Sequence, residues 1–426
     1  MPVVRAKLLG AWLVMVAIIG MTMAEPSVNF NEARVAPYRL PELLKTAQGE
    51  PITTASQWTR RRAELLRLFE DEIYGRSPDR PDRLRFVITS IEPAALHGLA
   101  TRREVTLYLA KNGTGPKLHL LLYVPNHVTG PAPVFLGLNF KGNHAVAHDP
   151  GITLRSRWLA GEEGSSPCAD ESPRGAEASR WQVETILTRG YALATMCYED
   201  IEPDIDDGYQ NGVQPLYYQP DQTRPAPNEW GAVAAWAWGL CRALDYLETD
   251  ASVDARRVAL VGHSRLGKAA LWAGALDERF ALVISNNSGC CGAALSRRDF
   301  GETVRRINSR YPHWFCENFK KYSDQVDQLP VDQHMLIALL APRPVYIASG
   351  AEDLWADPRG EFLGAKHATP VYRLLGLEGL PAEEMPPVDH PIAGTIGYHI
   401  RHGGHDVLPY DWQQFLSFAD RHLSRE

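Results

Sequence analysis

The sequence predicts an α/β fold: a three-layer α-β-α sandwich around a mostly parallel central sheet, with antiparallel strands on its N-terminal side. Two observations carry this. From residue 131 onward, apolar strand-like runs alternate with helical ones, and wholly apolar strands belong to a parallel sheet covered on both faces. Ahead of that point LRFVITSI, REVTLYLA and LHLLLYVP alternate in polarity and are separated by turn residues. That is the pattern of an antiparallel meander.

The elements follow in order. QWTRRRAELLRLFEDEIY, residues 57–74, has apolar positions at helical spacing. After the meander come the strand PAPVFLGLNF, the helix SRWQVETILTRG, the strand YALATMCY and the long helix EWGAVAAWAWGLCRALDYLE. Next are the strand VALVGH, the helix LGKAALWAGAL and the strands FALVISN, PVYIASG and IGYHIR. DWQQFLSFADRHL closes the chain as a helix. Residues 141–178, 199–228 and 291–333 break the alternation, each after a strand. Long polar loops at the carboxyl ends of an α/β sheet are where ligands bind. With no repeat and no low-complexity linker, residues 25–426 read as a single domain.

Residues 1–24 read as a secretory signal peptide. Arg5 and Lys7 precede the apolar run LLGAWLVMVAIIGMTM, and Thr22 and Ala24 give small side chains for a cut after Ala24. The expected location is secreted or periplasmic, with no membrane attachment after cleavage. The chain of 426 residues is 45% hydrophobic and 22% charged, with a net charge of −7. Losing Arg5 and Lys7 makes that −9. Such a balance argues against a nucleic-acid surface. Cysteines stand at 168, 197, 241, 290, 291 and 316, without metal-type spacing. Cys197 and Cys241 lie in apolar patterns and read as buried thiols. Cys290 or Cys291 with Cys316 is the disulfide to expect in an exported chain.

Chemistry concentrates around VALVGHSRLGKAALWAGAL, residues 258–276. Ser264 sits between an apolar strand and a helix, on the turn that exposes a nucleophile in the α/β-hydrolase fold. The usual second small residue is Leu266, with Gly267 one position later. A serine nucleophile needs a base and an orienting acid, here in the order Ser, acid, His. Asp353, with Glu352 second, follows the strand PVYIASG, and His405 follows Gly403 and Gly404 after the last strand. His402 reads as a structural residue at the strand end. The backbone N–H of Arg265 and one from residues 138–144 would form the oxyanion hole. His144, His148, His402 and His405 lack the spacing of a metal site, and serine acyl transfer needs no cofactor.

Arg265 and Lys268 place two cations beside the serine, Lys268 on its face of the helix. A lipid pocket would exclude them, whereas a polyhydroxylated substrate with an acid-derived carbonyl would use them. The motif G-H-S-R-L-G-K resembles the nucleophile motif of the glucuronoyl esterases, carbohydrate esterase family 15. YGRSP (74–78), RGAEASRWQVETILTRGYALAT (174–195), YEDIEPD (198–204), RRDFGETV (297–304) and EDLWADPRGE (352–361) extend the likeness over nearly all of the mature chain. The resemblance implies Ser264 as nucleophile, His405 as base and Arg265 assisting the oxyanion. It also implies Lys268, Glu302 and Trp355 contacting the uronic acid, and a substrate ester between 4-O-methyl-glucuronic acid on glucuronoxylan and a lignin alcohol. Two departures stand out. Asn286 or Asn287 occupies the place where many members carry the acid, which moves that role to Asp353. His263 and Asp406 replace paired half-cystines of fungal members. The rival readings are an acetyl or feruloyl esterase with the same triad and an inactive carbohydrate-binding relative.

Overall fold

A computed structural model describes residues 28–424 apart from 82–83, 111–112, 155–156, 160–161 and 167–171. The proposed signal peptide and Cys168 lie outside the described residues.

The strands are β1 (Arg85–Ala95), β2 (Ala100–Tyr108), β3 (Lys117–Pro125), β4 (Ala132–Asn139), β5 (Arg157–Leu159), β6 (Glu162–Ser166), β7 (Ala192–Cys197), β8 (Val253–His263), β9 (Leu282–Asn286), β10 (Val345–Gly350), β11 (Ile392–Ala393) and β12 (Ile396–Arg401). Ten of them form one sheet in the order β1-β2-β3-β7-β4-β8-β9-β10-β12-β11, and β5 pairs with β6 separately. β7, β4, β8, β9, β10 and β12 run parallel. β1, β2 and β3 form the expected antiparallel meander, and β3 joins β7 antiparallel. This is the mixed, mostly parallel sheet of an α/β-hydrolase. At its edge, β1 breaks register between Ile88 and Ser90 and again between Glu92 and Ala95.

The helices are α1 (Ala55–Phe69), α2 (Ala178–Trp181), α3 (Val183–Thr188), α4 (Ala232–Leu247), α5 (Arg265–Leu276), α6 (Val304–Arg310), α7 (Gln333–Ala338), α8 (Pro358–Leu374) and α9 (Pro409–Leu423). Strand alternation sorts them into two layers. Val134, Leu136, Val258, Leu260, Val283, Val345 and Ile347 face one core, with α1, α4, α5, α7 and α8. Phe135, Ala259, Val261, Leu282, Ile284, Tyr346 and Ala348 face the other, with α3 and α9. Both faces of the central strands are thus buried, which explains their unbroken apolar runs. No described helix is long and apolar enough to cross a membrane.

Several boundaries differ from the sequence expectation. α1 begins at Ala55 because Thr54 and Gln57 form a reciprocal capping box, and a π-helical turn carries the chain on from Glu70 to Tyr74. The helix expected over 179–190 is split by Gln182, whose φ of 44° ends α2 before α3 begins. α8 was not anticipated: Gly360, Gly364 and Pro370 interrupt its helical signal. The cysteine expectations also need correction. Cys197 is disulfide-bonded rather than a thiol, while Cys241 is a buried thiol. Cys290, Cys291 and Cys316 are all free. Cys316 faces the Asp71 carbonyl and Cys290 faces Cys291 and Ser296, so the expected pairing does not form.

Candidate active site

β8 delivers Ser264 and α5 carries it away. Ser264 has φ 58° and ψ −132°, outside the favoured regions, a local strain typical of functional turns. Its N–H bonds to the Asn286 carbonyl, and its own carbonyl accepts from Gly267 N–H, both at 2.9 Å. The turn is tight enough that a Cβ on Gly262 would stand 2.1 Å from the Leu266 carbonyl oxygen. Gly262 is therefore the small residue this turn requires, and Leu266 is admitted because its side chain points into the core. Gly262→Ala is expected to destabilise the fold by about 3 kcal/mol, read as a lowered midpoint in denaturant unfolding.

Three side chains from three strand ends meet. His405 Nε2 lies 2.8 Å from Ser264 Oγ, and His405 Nδ1 lies 2.6 Å from Asp353 Oδ2. Asn287 donates its amide to that same Oδ2 at 2.6 Å. Burial raises the Asp353 pKa, but the His405 and Asn287 bonds outweigh it and hold the carboxyl below its ordinary value. Glu352 is exposed and its backbone N–H donates to the Gly403 carbonyl, whereas the side-chain hydrogen bonds of His405 go to Asp353 and Ser264. His402 is 80% exposed and 3.7 Å from Asp389, so it is not the packed structural residue expected at the strand end. His263 packs its ring 4.6 Å from that of His405 and bonds Asn286 through Nδ1. Burial and the neighbouring His405 bring its pKa down to about 3, leaving it neutral. Arg180 ties down Asp406 at 2.6 Å.

Both cations beside Ser264 are paired, with carboxylates that are themselves largely buried. Lys268, 2% exposed, uses its ammonium on Glu302 Oε2 at 2.5 Å, the Cys290 carbonyl at 2.5 Å and the Ser288 carbonyl at 2.8 Å. Arg265 pairs with Asp204 and lies over the Trp314 ring at 4.9 Å. Asp204 also accepts from His313 at 2.9 Å and Trp314 Nε1 at 2.7 Å. Burial raises its pKa, but His313, Arg265 and Trp314 bring it down to about 2. Its stabilising effect is therefore complete above about pH 4 and lost as pH falls toward 2. Over that interval wild type should lose about 2 kcal/mol more unfolding free energy than Asp204→Asn, measured in denaturant at both ends.

Ser264, Arg265, Lys268, Glu302, Trp355 and His405, all named from the sequence, line one cleft of about 220 Å³. Trp314 and Tyr311, stacked at 4.0 Å, form an aromatic wall that was not foreseen. Glu361 supports the cleft floor from behind, accepting from Ser288 N–H, Gly289 N–H and Ser349 Oγ at 2.7, 3.0 and 2.6 Å. Burial pushes its carboxyl up to about 8. Asp204 ends the stretch YEDIEPD, whose local pattern carries no link to Arg265. His144 bonds the Ser172 carbonyl, and among the described residues no three His, Cys, Asp or Glu side chains group as metal ligands.

The family model for fungal glucuronyl esterases matches residues 187–376. A carbohydrate esterase from an unknown prokaryotic organism is 49% identical over 93% of this chain and 92% of its own. A glucuronoyl esterase from Solibacter usitatus superposes with a TM-score of 0.87 at 52% identity, covering 92% of this chain and 99% of that one. A 4-O-methyl-glucuronoyl methylesterase from Cerrena unicolor is 27% identical over 82% of this chain and 64% of its own. With the strand–Ser264–helix turn, the sheet and these relatives in agreement, the chain belongs to carbohydrate esterase family 15, the glucuronoyl esterases.

Proposed function

We propose that the mature protein is a secreted serine esterase hydrolysing esters of 4-O-methyl-glucuronic acid, carried on glucuronoxylan, with lignin alcohols. The observation that carries this is the Ser264–His405–Asp353 chain opening onto a cleft lined by two compensated cations and by tryptophan. Ser264 Oγ attacks the ester carbonyl while His405 Nε2 takes its proton. Asp353 holds the Nδ1 proton and so fixes the tautomer. Negative charge on the carbonyl oxygen is met by the Arg265 backbone N–H and by its guanidinium. His405 then protonates the departing alkoxide, and a water activated by the same imidazole releases the uronic acid. The sugar hydroxyls meet Glu302, which the Lys268 ammonium, its three donors already engaged, holds from beneath, and the apolar face of the sugar meets Trp355.

The inactive-relative reading rested on the missing glutamate. Asp353 supplies a carboxylate at hydrogen-bonding distance from His405, which favours activity. The test compares benzyl glucuronate with 4-nitrophenyl acetate on the purified mature protein. A kcat/KM at least about 100-fold higher for the glucuronate is expected from the extra sugar contacts. Hydrolysis of the acetate alone would overturn the substrate class and favour the acetyl-esterase reading. The secretion part is tested by sequencing the exported protein, which should begin at Glu25.

A further inference from the structure

His405 sits on a segment with little packing of its own. Its side chain is 41% exposed, and it follows two glycines. A Cβ on Gly404 would meet nothing within 4 Å. Yet the ring must meet Ser264 and Asp353 simultaneously.

The restraint comes from beneath. Arg401, the last residue of β12, is 1% exposed. One terminal nitrogen, Nη1, donates to the His402 carbonyl at 3.0 Å and to the Gly404 carbonyl at 3.1 Å. The other, Nη2, donates to the Asp406 carbonyl. Nε donates to Asp411 Oδ2 at 2.7 Å. Asp411, fully buried at the start of α9, also accepts from Leu408 N–H and from His399 Nε2, at 2.7 and 2.8 Å. The guanidinium therefore grips carbonyls on both sides of His405, and its own orientation is set by a carboxylate held by His399 of the same strand and by the N-cap of α9. β10 makes room for the loop: a Cβ on Gly350 would stand 2.6 Å from the Gly404 carbonyl oxygen.

We infer that Arg401 is the positioning residue for His405, clamping residues 402–406 through three carbonyls so that the base is preorganised against Ser264 and Asp353. The inference rests on the reading of His405 as the base. A planar fork with five donors can serve three carbonyls and a carboxylate together; an ammonium with three donors at one point cannot.

Arg401→Lys keeps the buried charge opposite Asp411 but loses the fork. Its kcat on benzyl glucuronate, normalised to sites titrated with a serine-reactive phosphonate, should fall about 100-fold with KM within about twofold. The low-field proton NMR line of the His405–Asp353 hydrogen bond should broaden or vanish. Gly404→Ala reduces the freedom of the loop. It should recover about threefold in kcat in the Arg401→Lys background and change wild type by less than that. Asp411→Asn, which keeps shape while loosening the guanidinium, should show the same kcat-only loss on a smaller scale and serves where Arg401→Lys does not accumulate. A kcat per titrated site within about threefold of wild type in the folded variants, with the low-field line intact, overturns the inference. Wild type inactive on benzyl glucuronate would count against the proposed function instead.

Discussion

Ser264→Ala is expected to lower kcat on benzyl glucuronate by about 10⁶-fold and Asp353→Asn by about 10⁴-fold, while Glu352→Gln stays within about twofold of wild type. The serine variant removes the atom that bonds the acyl group, leaving only binding and the oxyanion donors. The asparagine variant keeps the shape but reverses the hydrogen bonding. Asp353 Oδ2 accepts from both His405 Nδ1 and Asn287 Nδ2. An amide there can present oxygen to both only by turning its NH₂ toward Oδ1's surroundings, where Ala356 N–H already donates. Any other rotamer selects the imidazole tautomer that cannot accept from Ser264. Circular dichroism should show all three variants folded. Loss of activity in Glu352→Gln with retention in Asp353→Asn would reverse the assignment of the acid.

Lys268→Met should cost about 3–5 kcal/mol of stability and most of the activity. The ammonium is enclosed by Glu302 and the Ser288 and Cys290 carbonyls. Removing it leaves a buried carboxylate uncompensated and two backbone acceptors without their donor. Adding Glu302→Gln should recover part of the stability, because the stranded charge is gone, but not the activity. Urea unfolding and kcat/KM on the single and double variants separate the two effects. A double variant no more stable than Lys268→Met would show that the pair does not compensate as described.

The chain order of serine, acid and histidine was legible because each follows a recognisable strand, and strand ends in such a sheet converge. The sequence put Asp353 ahead of Glu352 without a local pattern to separate adjacent acids, and the turn after β10 brings the Asp353 carboxylate, 2.6 Å from His405, into reach. The partners of the cations were not legible. Asp204 lies in another loop, 61 residues from Arg265, and only the fold brings them together. Glu302 was reached through resemblance, not periodicity. Nothing in the sequence singles out Arg401, because a side chain that binds backbone carbonyls leaves no pattern in side-chain types. α8 was hidden for a related reason: its Gly364 packs against the Ala293 carbonyl, where a Cβ would stand at 2.1 Å, so tertiary contact outweighed helix propensity there.

The two register breaks in β1 bear on how the protein survives at high concentration. An eleven-residue edge strand with Ile88 and Ile91 about half exposed is a ready template for a strand from another copy. Each bulge turns the free row of backbone donors and acceptors out of line, and Pro93 removes a donor in the second. Intermolecular β-pairing is thereby denied a straight run along this edge. Deleting Thr89 would iron out the first bulge, and the altered protein should form sheet-rich aggregates at concentrations where wild type stays dispersed.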